Sequence, residues 1–208
     1  FAIAGIYGKL DLLPFIFPLL AGYTILGPLA ATGIYELSRR REFGRFTSRT
    51  NAFAVFKSHS INAIAILGII LMVIYFAWLF AAQLIYQHNF SDAIPDSYIG
   101  FATQVLNTQQ GIDMMIAGCS VGFLFSIVVL SLSVVSFPML LDLNVSVLTA
   151  VKTSIKAVIA NPVIMAVWGV IVASSLLVGS LPAFVGLCIV LPVLGHSTWH
   201  LYRKIVDC

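Results

Sequence analysis

The chain has 208 residues, of which 60% are hydrophobic and only 9% are charged, and its formal net charge is +3. Soluble domains carry about 25% charged residues, so the composition excludes a water-facing surface of this size and makes lipid the solvent for most side chains. Nucleic-acid binding is also disfavoured, because the basic residues flank apolar stretches instead of forming one broad face. The three cysteines form no CxxC pair, so neither a zinc site nor a disulfide framework is indicated.

Five apolar stretches are long enough to cross a bilayer, which takes roughly 20 mostly apolar residues. They lack the alternating polarity of barrel strands, so each predicts a helix. Residues 1–7 predict the end of a sixth, truncated N-terminal span. The fold class is therefore all-α, a polytopic transmembrane helical bundle in a single domain over residues 1–208. The five full spans are predicted at residues 12–35, 61–86, 112–141, 162–178 and 182–202.

Two connecting segments have structure of their own. The polar segment 88–110 predicts a connector with one short helix. Residues 143–160 place apolar side chains at helical spacing, with Lys152 and Lys156 on the other face. This pattern predicts an amphipathic interfacial helix whose two lysines face anionic headgroups at the membrane surface. The Asn161-Pro162 pair then ends this helix and begins the fourth span.

The basic residues predict the orientation of the chain. Threading the five spans alternately places ten of the eleven lysines and arginines on one side. The positive-inside rule makes that side cytoplasmic. With a sixth span before residue 12, both termini of the full-length chain are predicted to be cytoplasmic.

Two sets of residues are candidates for internal contacts. Glu36 precedes Arg39 and Arg40 by three and four residues, which predicts an intrahelical ion pair. A proton relay through Glu36 is the alternative, because acids buried in membranes are often functional. Small residues recur in three spans and predict close helix packing, within the chain or with a partner subunit. They are Gly22, Gly27, Gly33, Gly118, Gly122, Ser175 and Gly179.

Three histidines are candidates for a metal or haem site. His196 and His200 are four residues apart and share one helix face, and His59 begins the second span at the same membrane level. Imidazoles ligate metals and haem iron. The alternative is that they are amphipathic interface residues like Trp199. One HxxxH pair without a carboxylate between is a weak signal, so no cofactor is predicted, and no catalytic motif was found that would name a catalytic residue.

Several stretches resemble hallmarks of an uncharacterised family of bacterial integral membrane proteins. They are residues 21–40 (AGYTILGPLAATGIYELSRR), 136–142 (SFPMLLD), 191–203 (LPVLGHSTWHLYR), and Ala160-Asn161-Pro162 with Trp168-Gly169. This family is a domain of unknown function with six predicted spans, whose members are sometimes labelled cytochrome c oxidase subunit I-like. The resemblance implies about six spans and a bacterial inner membrane, and it supplies no activity or site residues. Catalytic oxidase subunits have about twelve spans and six metal-ligating histidines, whereas this chain has four histidines.

These features favour a non-catalytic accessory or structural subunit of a larger membrane complex, respiratory or photosynthetic. Its expected partners are the lipid bilayer and other membrane subunits, and no nucleic acid. The first alternative is a small channel or transporter for a neutral or lipid-like solute. The interiors of the predicted spans carry no Lys, Arg, Asp or Glu, which argues against ion-coupled transport. The second alternative is a haem or metal protein that uses the cytoplasmic-side histidines.

Overall fold

The structure is a computed structural model that describes residues 16–45, 48–90, 97–181 and 184–206. Over these ranges the chain is helical and has no strand, so the all-α prediction is confirmed. The helices are α1 Ile16–Ala30, α2 Thr32–Glu42, a 3-10 helix Arg49–Lys57, α3 Ile61–Phe90, α4 Tyr98–Asn107, α5 Gln109–Ser133, α6 Ser136–Asp142, α7 Val147–Ala160, α8 Pro162–Ser180 and α9 Leu187–Ile205.

Three helical segments of the described chain are long and apolar enough to cross a membrane. They are Ile61–Phe90, Gln109–Asp142 and Pro162–Ser180, with 30, 34 and 19 residues. These segments match the second, third and fourth predicted spans. The first predicted span is divided between α1 and α2 at Ala31, and the fifth is a turn at residues 184–186 followed by α9 from Leu187; neither is among these three. Both run into basic last turns, in α2 and α9. The predicted truncated span at residues 1–7 lies outside the described residues.

The apolar segment Gln109–Asp142 is interrupted between α5 and α6 at Val134 and Val135. Pro138 explains the position of the break, because a proline ring clashes with the carbonyl four residues earlier, here that of Val134. The buried N–H of Val135 donates to Ser154 Oγ of α7 at 3.2 Å. The serine thus supplies an acceptor for a buried N–H, which is costly to leave unpaired.

The amphipathic segment forms α7, which starts four residues later than the predicted position 143. Ser146 caps its N-terminus by accepting a hydrogen bond from the Thr149 N–H at 3.2 Å. The helix ends at Ala160, and Pro162 is the first residue of α8, as the Asn161-Pro162 pair predicts. Small residues, Ala150, Ser154 and Ala157, form its buried face, and α7 packs on α6. Larger apolar side chains such as Leu148 and Ile159 are exposed.

The chain divides into two compact units. The first is Phe1–Leu26 with Leu71–Val128, and the second is Gly27–Ile70 with Val129–Cys208. In the first unit the Trp78 indole N–H donates to the Pro18 carbonyl at 3.0 Å, and its ring meets Phe125 edge-on. In the second unit α2 packs on α9, α6 and the 3-10 helix. That packing positions the polar residues described next.

Candidate functional site

The C-terminal ends of α2, α6 and α9 meet in the second unit, and polar side chains join them there. We call this set the three-helix cluster. Glu42 is the last residue of α2, Asp142 is the last residue of α6, and Arg203 lies in the last turn of α9. The cluster consists of Glu36, Ser38 and Glu42 of α2, Asp142 of α6, and His196, Trp199, Tyr202 and Arg203 of α9.

Arg203 bridges the two carboxylates at the helix ends. Its Nε donates to Glu42 Oε1 at 2.9 Å and its Nη1 donates to Asp142 Oδ2 at 3.1 Å. The Tyr202 hydroxyl donates to the same Asp142 oxygen at 2.9 Å, and the Trp199 indole N–H donates to Glu42 Oε2 at 2.9 Å. Trp199 and Tyr202 are fully buried. We call this arrangement the carboxylate clasp.

The electrostatics of the carboxylate clasp favour the charged form of the Arg203 guanidinium. Partial burial disfavours the charged guanidinium of Arg203, but the negative charges of Glu42 and Asp142 outweigh this, so the pKa of Arg203 lies above its usual value. The Asp142 side chain is only 5% exposed. A buried carboxylate of this kind is stable only when it is paired and hydrogen-bonded, and the clasp provides both.

Glu36 forms a second, local group of contacts one and a half turns before the end of α2. Its side chain is 4% exposed, and its two oxygens accept from Arg39 Nε at 2.9 Å and from Arg40 Nε at 2.7 Å. Both arginines are partly exposed, so their charges remain partly hydrated while Glu36 is buried. The spacing of three and four residues that the sequence shows places all three side chains on one helix face.

Ser38 and His196 connect α2 to α9 in the turn before the clasp. Ser38 Oγ lies 2.6 Å from Nδ1 of His196 and also donates to the Ile34 carbonyl at 3.0 Å. A hydroxyl has one proton, so with that proton on the carbonyl, Nδ1 of His196 is the donor to Ser38. Arg41 and His200 are the electrostatic neighbours of His196.

The three histidines singled out in the sequence do not form one group. His196 and His200 are neighbours on α9, and His59 is an exposed residue between the 3-10 helix and α3. Within the described ranges no set of three or more His, Cys, Asp or Glu side chains is arranged to hold a metal ion. The geometry at His196 involves a serine and an arginine, which are not a metal-ligand set.

The small residues of the predicted packing set differ in their surroundings. A Cβ on Gly22 would overlap the Tyr75 ring. The other close approaches are Gly33 to Ala52, Gly122 to Trp78, and Gly179 to Leu187, Val190 and Gly186. Ser175 is half-buried. A Cβ on Gly27 or Gly118 would meet nothing within 4 Å, apart from the helix's own backbone and the chain neighbours. Lys152 and Lys156 are exposed on α7.

A family model described as "Predicted integral membrane protein (DUF2189)" matches residues 16–142. The chain belongs to this family. The match confirms the resemblance inferred from the sequence and identifies the chain as an integral membrane protein. Searches of curated proteins and of solved structures gave no match. Helices α2 and α6 of the three-helix cluster lie inside the matched region, which ends at Asp142, and α9 lies beyond it.

The carboxylate clasp was not predicted from the sequence. Glu42, Asp142 and Arg203 are separated by up to 161 positions, and their contact depends on which helices pack together. One signal was present. A carboxylate in the last turn of a helix is disfavoured by the helix dipole, so Glu42 and Asp142 each indicated a cationic partner from elsewhere.

Proposed function

We propose that this protein is a non-catalytic subunit of a larger membrane assembly, in which its apolar helices pack against other membrane proteins. The observation that carries the proposal is the pairing of the buried acids. Glu36 is held by Arg39 and Arg40, and Asp142 is held by Tyr202 and Arg203. Groups that are engaged in this way stabilise helix packing, whereas proton relays and ion-coupled transporters need acids that can exchange partners.

Exposed apolar helix surface supports the same proposal. In the most apolar stretches of α3 and α8, only 28% and 17% of the residues are buried inside the chain. Lipid or a partner helix must cover the rest, since these surfaces cannot face water.

Helix α5 offers a place where a partner backbone can approach. A Cβ on Gly118 would meet no atom of a neighbouring element within 4 Å, and the adjacent Cys119 is exposed. Small residues at such positions allow helices in membranes to pack closely. The surface around Gly118 is therefore where we expect a helix of another subunit to lie.

The location that we propose is a bacterial inner membrane, with the termini of the full-length chain in the cytoplasm. The arginines of α2 and the pair Arg203 and Lys204 in α9 lie in the last turns of their helices. The positive-inside rule assigns that end of both helices to the cytoplasm. The three-helix cluster would then lie at the cytoplasmic membrane interface.

The subunit proposal is tested by replacing Gly118 with leucine in the tagged full-length protein, which is then extracted from native membranes in a mild detergent. We expect wild type to migrate in a larger complex and Gly118→Leu to lose its co-purifying proteins several-fold, because leucine prevents close backbone approach. Ser120→Leu is the matched control, since Ser120 is a small exposed residue on another side of the same helix. A wild-type protein that always migrates as a stable monomer would refute the proposal, and so would equal losses in both variants.

A further inference from the structure

We propose that Arg41, His196 and His200 form a binding site for a phosphate group, and that the headgroup of an anionic phospholipid supplies this group. The site lies between α2 and α9, with His196 one turn before the carboxylate clasp and Arg41 and His200 at the level of the clasp. It does not depend on whether the protein is a subunit of a larger assembly.

The geometry starts from the contact between Ser38 and His196. Their side chains meet at 2.6 Å and fix the distance between α2 and α9 at this level. Arg41 follows Ser38 by three residues and His200 follows His196 by four, so each lies one turn further along the same helix face. The two helices end together, since Glu42 of α2 contacts Arg203 of α9. Arg41 and His200 therefore lie at one level, on either side of the groove between the helices.

The charges in this region are not balanced. Arg41 is exposed and, in the part of the chain that the structure describes, makes no ion pair. The two carboxylates on the same helix are engaged elsewhere. Glu36 accepts from Arg39 and Arg40, and both oxygens of Glu42 accept from Trp199 and Arg203. Arg41 thus has no counter-charge among the described residues, and an anion would supply one.

The donors match the chemistry of a phosphate. The Arg41 guanidinium presents N–H groups to an anion, an imidazole does so through each ring nitrogen that carries a proton, and charge-assisted bonds of this kind are short and strong. Arg41 supplies a fixed fork that fits phosphate oxygens. Because Ser38 holds Nδ1 of His196, the second ring nitrogen, Nε2, is the one that can donate to a ligand when the ring is protonated.

The surroundings favour a lipid as the source of the phosphate. His200 is exposed, and about two and three turns earlier on α9 the apolar side chains of Val193 and Ile189 are 57% and 73% exposed. An acyl chain lying along these side chains would bring its headgroup to the level of Arg41 and His200. This is the order in which apolar and basic residues follow one another at a membrane interface.

The test uses the purified full chain in an uncharged detergent. Short-chain phosphatidylglycerol, phosphatidylcholine with the same acyl chains, and inorganic phosphate are each titrated by calorimetry into wild type, Arg41→Gln/His200→Gln and Arg45→Gln. Arg45→Gln is the matched control, because it removes an exposed arginine three residues after α2, whose guanidinium lies over Phe43. We expect saturable binding of phosphatidylglycerol that weakens about tenfold or more in the double variant, since each charge-assisted bond contributes a factor of that size. We expect less than a twofold change in the control.

The titrations also identify the source of the phosphate. If inorganic phosphate binds with the same dependence on the variants and phosphatidylglycerol does not, the phosphate site stands and its ligand is soluble. The proposal is overturned if neither ligand binds wild type, or if the double variant and Arg45→Gln weaken binding equally. His200→Gln alone serves as the test if the double variant does not fold, because His200 is exposed and its replacement leaves the Ser38–His196 contact in place.

Discussion

Replacing Arg203 with methionine tests whether the carboxylate clasp holds the three helix ends together. Methionine keeps most of the aliphatic stem and removes the guanidinium. Asp142 is then left with the Tyr202 hydroxyl as its donor, and Glu42 with the Trp199 indole. The change therefore isolates the ionic part of the clasp and leaves the two aromatic hydrogen bonds in place.

The expected cost differs between the two carboxylates, because Asp142 is buried and Glu42 is partly exposed. The side chains of Arg203 and Glu42 are 29% and 35% exposed, so their contact is screened and contributes about 0.2–1 kcal/mol. Removing one partner of a buried charge pair costs about 3–5 kcal/mol. Asp142 is 5% exposed but keeps its hydrogen bond from the Tyr202 hydroxyl, which lowers the cost of removing its cationic partner to about 2 kcal/mol. We expect Arg203→Met to lower the free energy of unfolding by about 2–3 kcal/mol in total.

The free energy of unfolding is measured by titrating the protein with SDS in mixed micelles and following tryptophan fluorescence, which includes that of the buried Trp199. Lys204→Met is the matched control, because Lys204 is the next residue, is exposed and makes no ion pair with any described residue. A double-mutant cycle with Asp142→Asn should give a coupling energy above about 1 kcal/mol. The reasoning fails if Arg203→Met and Lys204→Met destabilise equally, within about 0.5 kcal/mol, or if the coupling is absent.

Two further predictions concern α7 and the orientation of the chain. Ser154→Ala removes the acceptor of the buried Val135 N–H and should cost about 1–3 kcal/mol in the same titration, whereas Thr153→Ala on the exposed part of α7 should cost under about 0.5 kcal/mol. Equal costs would show that Ser154 is not needed at the helix break. A single cysteine at Arg45, in a chain without its native cysteines, should react with a membrane-impermeant thiol reagent only after cells are opened. Labelling in intact cells would reverse the proposed topology.

Much of the helical architecture could be predicted because lipid imposes a simple length rule. The segments Ile61–Phe90 and Pro162–Ser180 are continuous apolar stretches bounded by polar residues, so their existence follows from composition alone. The Asn161-Pro162 pair marked the boundary between α7 and α8, because proline lacks the N–H that a helix interior requires. The break at Val134 and Val135 was harder to predict from the sequence. Ser154, which accepts the hydrogen bond from the Val135 N–H, is 19 positions away on another helix.

The candidate site divides in the same way, between local and distant contacts. The contacts of Glu36 with Arg39 and Arg40 lie within one helix, where spacing alone determines which side chains meet. The contact between Trp199 and Glu42 joins residues 157 positions apart, and no pattern within α2 or α9 specifies that these helices pack side by side. The histidines illustrate the same limit. Sequence spacing places His196 and His200 on one face of a helix, but it could not show that Ser38 lies against His196.

The carboxylate clasp links the composition of the chain to the level at which its helices end. Glu42 and Asp142 are the final residues of α2 and α6, where the negative ends of the helix dipoles disfavour a carboxylate. Arg203 lies in the last turn of α9, where the dipole favours a cation. One guanidinium therefore offsets two unfavourable helix ends, but only if all three helices end at the same level. In a chain with so few charges, this requirement aligns the C-terminal ends of α2, α6 and α9 at one level, where their polar groups can be hydrated. Loss of Arg203 should therefore loosen all three helix ends together.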